Sequence, residues 1–198
     1  VRLFAFIYLP GACTQASLLI FEPMTRYIAF LRAINVGGRT VKMEDLRQHF
    51  AMPGLKNIST YIQSGNVIFE HSSTDVPALT AKIEARMLKT LGYEVKTFLK
   101  TPPELQAIVA DTPFKDIPAD MAQHVSFLSA VPAKEAVEQL LQFQNENEQF
   151  HIVGTDVYIL VKKGAYGMTK FSNNFLEKKL KVAATTRNWA TISKLAQI

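Results

Sequence analysis

The feature that most constrains this chain is a tight-turn signal between two β-rich runs, with helical patterns on either side. Ile58–Gln63 and Val67–Glu70 are separated by Ser64-Gly65-Asn66. Gly and Asn tolerate the positive φ angles that a short hairpin turn needs. A strand pattern and a helical pattern precede the hairpin, and a longer helical pattern and another strand pattern follow it. This order predicts a β-α-β-β-α-β unit.

The segments around the hairpin have recognisable limits. Pro77 falls in the first turn of the longer helix, and Gly92 is expected to end that helix. A split unit of this kind folds into a four-stranded antiparallel sheet with both helices on one face, the ferredoxin-like arrangement. The predicted elements are the strand Tyr27–Ala33, a helix from Thr40 to Phe50, a helix from Thr74 or Asp75, and the strand Tyr93–Leu99.

The same pattern recurs, without obvious sequence identity, after a joint at Thr101-Pro102-Pro103 and a short helix. We predict an α+β fold of two ferredoxin-like subdomains with antiparallel sheets, residues 24–101 and 102–198, plus a C-terminal helix. The open sheet faces either cover each other or leave a binding platform, and the sequence favours neither. The predicted elements are strand His124–Ser129, helix Pro132–Asn145, strands Phe150–Val153 and Val157–Val161, helix Ser172–Lys181, a short strand Val182–Ala184 and helix Trp189–Ala196.

Residues 1–23 do not resemble the rest of the chain. Val1–Leu9, apart from Arg2, and Ala16–Phe21 are apolar but shorter than the roughly 20 residues that cross a bilayer. We interpret this segment as a mis-assigned start or a disordered leader, with initiation at Met24; a structured extension and export are the alternatives. Cys13 is the single cysteine, which excludes an internal disulfide framework. Without the leader the chain has no cysteine, which suits a cytoplasmic location.

Positive charge is concentrated at the end of the chain. The net charge is +5, yet residues 1–150 carry 14 Lys+Arg against 15 Asp+Glu, whereas residues 151–198 carry 8 against 2. A basic segment attracts phosphates or nucleic acid. Tyr166, Phe171 and Trp189 interleave with it and could stack on bases. A solvated face and core aromatics are the alternative interpretation.

Two loops carry candidate anion contacts. The run RAINVGGR, Arg32–Arg39, joins the first strand to the first helix, and its glycines permit close backbone approach at a helix start. Its two arginines could bind a phosphate or carboxylate through two hydrogen bonds each. The polar run Thr185–Trp189 precedes the last helix, where it either caps that helix or places Arg187 at an anion site. A glycine-dependent turn with solvated arginines is the alternative for the first loop.

Strong catalytic and metal-binding motifs are missing from the sequence. It has no H-E-x-x-H, no nucleotide P-loop, no G-x-G-x-x-G and no paired cysteines. We therefore predict no metal site and no cofactor, and no catalytic residue can be assigned.

Three motifs together resemble one family: FLRAINVGGR (Phe30–Arg39), TYIQSGNVIF (Thr60–Phe69) and FLEKKLKVAATTRNWATISKL (Phe175–Leu195). They resemble the bacterial domain-of-unknown-function family 1697, over about Met24 to Ile198. The resemblance implies two alpha-beta-plait halves and a cytoplasmic bacterial protein beginning near Met24, but no established reaction or cofactor. Its motif positions are Arg32, Asn35, Gly37, Gly38, Gln63, Ser64, Gly65, Asn66, Thr186, Arg187, Asn188 and Trp189.

We expect an uncharacterised bacterial protein that binds a phosphate-bearing ligand, either a nucleotide or single-stranded nucleic acid. One alternative is a small enzyme acting on an anionic metabolite between the halves, with Glu44 or Asp45 as a base. Another is a structural or regulatory homodimer, and no membrane partner is expected. The candidate ligand-binding residues are Arg32, Asn35, Gly37, Gly38, Arg39, Ser64, Asn66, Lys170, Thr186, Arg187 and Asn188.

Overall fold

The computed structural model describes residues 23–35, 40–165 and 167–198. The leader prediction therefore lies outside the described residues, except at Pro23. Within these ranges the chain forms six helices and two four-stranded antiparallel sheets. The predicted α+β class is confirmed.

The first sheet contains four strands in the order β2-β3-β1-β4. Asp75 caps the longer of its two helices by accepting a hydrogen bond from the Ala78 N–H, and Gly92 ends it with a φ of 77°. Both helix limits agree with the sequence pattern. The elements are β1 (Thr25–Leu31), α1 (Met43–Phe50), β2 (Lys56–Tyr61), β3 (Asn66–His71), α2 (Val76–Leu91) and β4 (Thr97–Lys100).

The second sheet follows after α3 (Pro102–Ala110) and has the strand order β6-β7-β5-β8. Its elements are β5 (Met121–Leu128), α4 (Lys134–Leu141), β6 (Glu148–Val153), β7 (Asp156–Lys162), α5 (Asn173–Leu180), β8 (Ala184–Asn188) and α6 (Trp189–Leu195). Ser172 caps α5 by accepting from the Phe175 N–H, and Asn188 caps α6 by accepting from the Thr191 N–H.

Helices α1 and α2 cover one face of the first sheet and α4 and α5 cover one face of the second, whereas α3 and α6 pack into the core between the two sheets. Alternate residues of β1 divide between the two, because successive side chains of a strand point to opposite sides. Tyr27 and Ala29 join the core formed with α1 and α2, whereas Ile28 and Phe30 join a core shared with β5. Phe30 and Phe127 lie at its centre, with ring centroids 4.7 Å apart. The two open faces therefore cover each other.

One predicted strand is displaced along the chain. The sequence pattern predicts a short strand at Val182–Ala184 followed by a polar loop before the last helix. In the structure, β8 spans Ala184–Asn188. Thr185 and Arg187 are buried toward the first sheet, where polar acceptors meet them. The prediction was wrong because this strand buries polar side chains, so the usual apolar alternation is absent.

Candidate functional site

Arg187 of β8 is buried and spans the junction of the two sheets. Its Nε donates to Asn66 Oδ1 at 2.5 Å, Nη1 donates to Thr185 Oγ1 and the Thr186 carbonyl, and Nη2 donates to the carbonyls of Leu31 and Gly65. These contacts use all of the guanidinium donors. Burial lowers the pKa of Arg187 to about 10. Arg187 therefore ties the second sheet to the first, and this geometry leaves it no donor for a ligand.

The first hairpin receives this arginine through Asn66. The Asn66 amide nitrogen donates to the Tyr61 carbonyl and to Ser64 Oγ, at 3.1 and 2.8 Å, while its oxygen accepts from Arg187. Asn66 is fully buried, so both of its polar atoms need these partners. Ser64 and Asn66 thus shape the turn and hold it against β8.

Arg32 binds helix α5 from the end of β1. Its guanidinium donates to both carboxylate oxygens of Glu177, at 3.1 and 3.2 Å, and to Asn174 Oδ1 at 2.7 Å. Glu177 also accepts from the Ala184 N–H at 3.0 Å. The side chain of Arg32 is 18% exposed. Arg32 is therefore paired with a carboxylate, whereas Arg187 is not. The Arg32 side chain is also partly exposed to solvent.

Asn35 links the β1–α1 loop to the hairpin. Its side-chain nitrogen donates to the Gln63 carbonyl at 3.0 Å, and its oxygen accepts from the Val41 N–H at 2.7 Å. Asn35 has a φ of 57°, a left-handed conformation that asparagine tolerates. The candidates Gly37, Gly38 and Arg39 lie outside the described residues.

Thr186 and Asn188 hold local structure on either side of Arg187. Thr186 Oγ1 donates to Asn173 Oδ1 at 2.6 Å, which ties β8 to the start of α5. Asn188 is the cap of α6, and Trp189 packs partly buried against the core between the sheets. The helix-cap interpretation of this run is the one that the geometry favours.

A basic surface beside α5 is formed by Phe143, Lys170 and Lys179, and Lys178 and Lys181 lie within two residues of Lys179 in the chain; we call these five residues the α5 surface. The Lys170 and Lys179 Nζ atoms lie 4.7 and 4.1 Å from the centroid of the Phe143 ring. Among the described residues, no carboxylate forms an ion pair with any of these four ammonium groups.

The acidic side chains next to this surface are engaged elsewhere. Glu148 is fully buried and accepts from the backbone N–H groups of Lys170 and Phe171, at 2.9 to 3.1 Å. Glu177 is bound to Arg32. The sequence pattern does not mark Glu148 or Glu177, because nothing in it distinguishes a buried backbone-binding glutamate from a solvated one, and it does not mark Phe143, because it does not show which side chains lie next to that ring.

Apart from Asn188, which caps α6, the described candidate residues divide into two groups. Six of them are joined by hydrogen bonds, directly or through a neighbouring residue, at the junction of β1, the first hairpin, β8 and α5: Arg32, Asn35, Ser64, Asn66, Thr186 and Arg187. Lys170 belongs to the α5 surface instead. The junction is built of groups that satisfy one another, whereas the α5 surface presents charge to solvent.

A second cation crosses between the sheets at Lys100. Its Nζ lies 2.9 Å from Asp156 Oδ1 and 5.3 Å from the centroid of the Phe127 ring. Burial raises the pKa of Asp156, and the neighbouring Lys100 opposes that rise. The corresponding guanidinium carbon of Arg187 lies 5.5 Å from the centroid of Phe30.

The residues considered for catalysis do not assemble into a site. Glu44 pairs with Arg47 on the surface of α1, and Asp45 is exposed. His124 packs against Phe171, and burial lowers its pKa. Within the described ranges, no group of three or more His, Cys, Asp or Glu side chains is placed to hold a metal ion.

Two open depressions lie away from all of these candidates. One of about 370 Å³ is lined by residues such as Phe114, Met121 and Leu160, and one of about 400 Å³ by residues such as Glu70 and Pro102. No helix in the described part of the chain is long and apolar enough to cross a membrane.

The fold is shared with a solved structure of a conserved bacterial protein from Streptococcus pneumoniae. The two are 24% identical, with a TM-score of 0.69 over 88% of this chain and 98% of that one. No curated protein matches the chain. A family model matches residues 24–158, more than half of the chain and including the first two sequence motifs but not the third. The chain belongs to this family, a protein of unknown function designated DUF1697.

Proposed function

We propose that this protein binds a phosphate-bearing ligand, a nucleotide or single-stranded nucleic acid, on the α5 surface. One observation carries the proposal. Four lysines within residues 170–181 form no ion pair with a described carboxylate, and two of them, Lys170 and Lys179, lie over one phenylalanine ring. A bound phosphate would supply the missing negative charge.

The arrangement favours an anion over simple solvation. Lys170 and Lys179 are both held near Phe143, so two like charges are kept close together. The ring face attracts each ammonium, but only weakly at an exposed site, by about 0.5–1 kcal/mol. An anion bound near them would offset their repulsion, and the positive charge of the neighbouring lysines would attract it from solution.

The junction residues have a supporting role in this proposal. Arg32 holds α5 through Asn174 and Glu177, and thereby pairs the only acidic side chain of that helix with an arginine. The strand β8 and the first hairpin are held together by Arg187, Asn66 and Ser64. Thr186 ties β8 to the start of α5, and Asn188 caps α6. Gly37, Gly38 and Arg39 keep their sequence-based role as predicted ligand contacts.

The finer fold assignment and the location belong to the same proposal. We assign a ferredoxin-like plait to each sheet with its helices. The β-α-β-β-α-β order and the matching strand orders β2-β3-β1-β4 and β6-β7-β5-β8 support this assignment. A cytoplasmic location remains the prediction from cysteine usage, and the enzyme and homodimer alternatives remain predictions from sequence.

The test is a salt titration of binding to fluorescein-labelled single-stranded RNA and DNA, followed by anisotropy. The triple variant Lys170→Gln, Lys178→Gln, Lys179→Gln should bind more weakly than the wild type. The slope of log K against log salt should become shallower by about 2, since each phosphate contact on a single strand contributes about 0.7. Uridine monophosphate, used as a competitor, reports on the nucleotide form of the ligand.

A charge-matched triple variant provides the control. Lys42, Lys82 and Lys89 are exposed lysines of the first half, and changing all three to Gln removes the same net charge. This control should keep the wild-type affinity and slope. Equal weakening in both triple variants would mean that net charge alone attracts the probe, and no binding at low salt by the wild type would reject the proposal.

A further inference from the structure

Glu148 carries a buried carboxylate that binds main-chain N–H groups. The residue is fully buried at the start of β6. Its Oε2 accepts from the N–H groups of Lys170 and Phe171, at 2.9 Å each, and its Oε1 accepts from the Lys170 N–H at 3.1 Å. Among the described residues, no basic side chain forms an ion pair with this carboxylate. The hydrogen bonds offset the cost of burying the charge and fix the main chain at residues 170 and 171.

The connection between β7 and α5 depends on these hydrogen bonds. Within it, the N–H groups of Ala165 and Met168 each donate to the carbonyl three residues earlier, so both of these bonds are local. Of the described residues from 164 to 171, only Lys170 and Phe171 donate hydrogen bonds to another element, and both donate to Glu148. Glu148 therefore determines where the main chain of Lys170 lies.

Phe143 belongs to the same turn as Glu148, the one that links α4 to β6. A hydrogen bond from the Asn145 N–H to the Glu148 carbonyl, at 2.9 Å, closes this turn. Phe175 of α5 meets the Phe143 ring edge to face, with centroids 5.3 Å apart. One end of the turn thus binds the main chain of Lys170, and the ring at the other end lies 4.7 Å from the Lys170 Nζ.

We infer that Glu148 is a positioning residue for anion binding on the α5 surface. Its hydrogen bonds hold Lys170 so that the ammonium lies over Phe143, where the Lys179 ammonium also lies. This inference rests on the proposed function. A carboxylate by itself repels phosphate, so the loss of its charge alone would strengthen anion binding. The loss of a positioning residue weakens binding, and the two effects therefore have opposite signs.

The test replaces Glu148 and measures the binding of a fluorescein-labelled oligouridylate of about 12 nucleotides by anisotropy. Glu148→Gln removes the negative charge and leaves one acceptor oxygen beside the two N–H groups. We expect this variant to bind about threefold more weakly than the wild type, as for the loss of one exposed charge contact. The slope of log K against log salt should become shallower by about 0.7, the contribution of one phosphate contact on a single strand.

Glu146→Gln is the matched control. Glu146 is exposed in the same turn, and its replacement removes the same charge while the hydrogen bonds of Glu148 stay in place. This control should bind the oligouridylate at least as tightly as the wild type.

A double-mutant cycle distinguishes the positioning of Lys170 from a general loss of structure. In Lys170→Gln, the further change Glu148→Gln should have little effect on binding, because the ammonium that Glu148 positions is gone. Thermal denaturation shows whether each variant is folded at the temperature of the assay. If Glu148→Gln does not fold, Glu148→Asp takes its place in the cycle, since its shorter side chain keeps the charge but withdraws the carboxylate from the N–H groups.

Three results would overturn this inference and leave the proposed function standing, provided that the lysine triple variant is still impaired. They are binding by Glu148→Gln that equals or exceeds that of the wild type, equal weakening by Glu148→Gln with and without Lys170, and the same weakening in Glu146→Gln. A wild type that does not bind the oligouridylate at low salt would overturn both proposals.

Discussion

Lys100 and Arg187 each extend from one sheet to contact the other at corresponding positions, but their surroundings differ. Arg187 pairs with Val125 in strand register and Lys100 pairs with Ile28, so each lies next to the central strand of its own sheet. Each cation lies near the central phenylalanine of the other sheet and contacts the first residue after the other hairpin turn, Asn66 for Arg187 and Asp156 for Lys100. One partner is neutral and the other is a carboxylate.

The difference shows two ways of holding a positive charge between packed sheets. Lys100 is compensated by opposite charge, whereas Arg187 is compensated by a full set of neutral acceptors. A guanidinium with planar, spread donors suits several fixed carbonyls, and a compact ammonium suits one carboxylate. We expect the arginine contact to depend on geometry and the lysine contact to depend on pH.

Replacing Arg187 should have the largest effect on stability. Arg187→Ala leaves the Leu31 and Gly65 carbonyls and Asn66 Oδ1 without this donor in a buried junction. We expect the free energy of unfolding to fall by about 3 kcal/mol. Urea denaturation followed by circular dichroism measures it. Arg187→Lys, which keeps the charge but has fewer donors, should recover part of the loss; full recovery would show that charge rather than geometry matters here.

Replacing Lys100 should have a smaller effect that depends on pH. Lys100→Met leaves Asp156 ionised and largely buried without its partner, which should lower the free energy of unfolding by about 2 kcal/mol near neutral pH. The folded-state pKa of Asp156 is raised above its usual value. The folded state therefore binds the proton more tightly than the unfolded state, and protonation recovers stability as the pH falls.

The difference between wild type and Lys100→Met should accordingly shrink between about pH 7 and pH 4. Urea denaturation across this range measures it, and the double variant Lys100→Met, Asp156→Asn should show little of this pH dependence. A constant deficit would mean that Lys100 acts through its contact with Phe127 rather than through Asp156.

Replacing Gly154, which lies in the turn between β6 and β7 with a φ of 58°, should have the smallest effect. A Cβ at Gly154 meets no heavy atom within 4 Å, so Gly154→Ala introduces only the cost of a left-handed alanine. We expect a loss of about 1 kcal/mol, or about 3 °C in melting temperature. Differential scanning fluorimetry measures it. An unchanged melting temperature would mean that this turn accepts a left-handed alanine without cost.

Much of the secondary structure could be predicted from the sequence, because local signals determine it. Gly92, Ser172 and Asn188 end or cap helices as their residue types indicate. The strand β8 could not be placed, because its inward-facing Thr185 and Arg187 find polar partners in the other sheet. Those partners are 154 and 156 residues away along the chain, so no local pattern reveals them.

The candidate site was predictable only in part for the same reason. The basic character of the last quarter is a matter of composition, and it led directly to Lys170. Two features depend on packing between elements that are distant in the chain: all Arg187 donors are used, and the Glu148 side chain points inward. The position of the Phe143 ring next to Lys179 depends on the packing of the end of α4 against α5.

The reciprocal contacts around Phe30 and Phe127 have a further consequence. Each sheet offers the other a ring, a cation and a hairpin residue, and each receives the same kinds of group in return. Such an exchange is the rule of an isologous interface between identical subunits. One polypeptide thus contains two sheets that exchange equivalent contacts in the way that two identical subunits would.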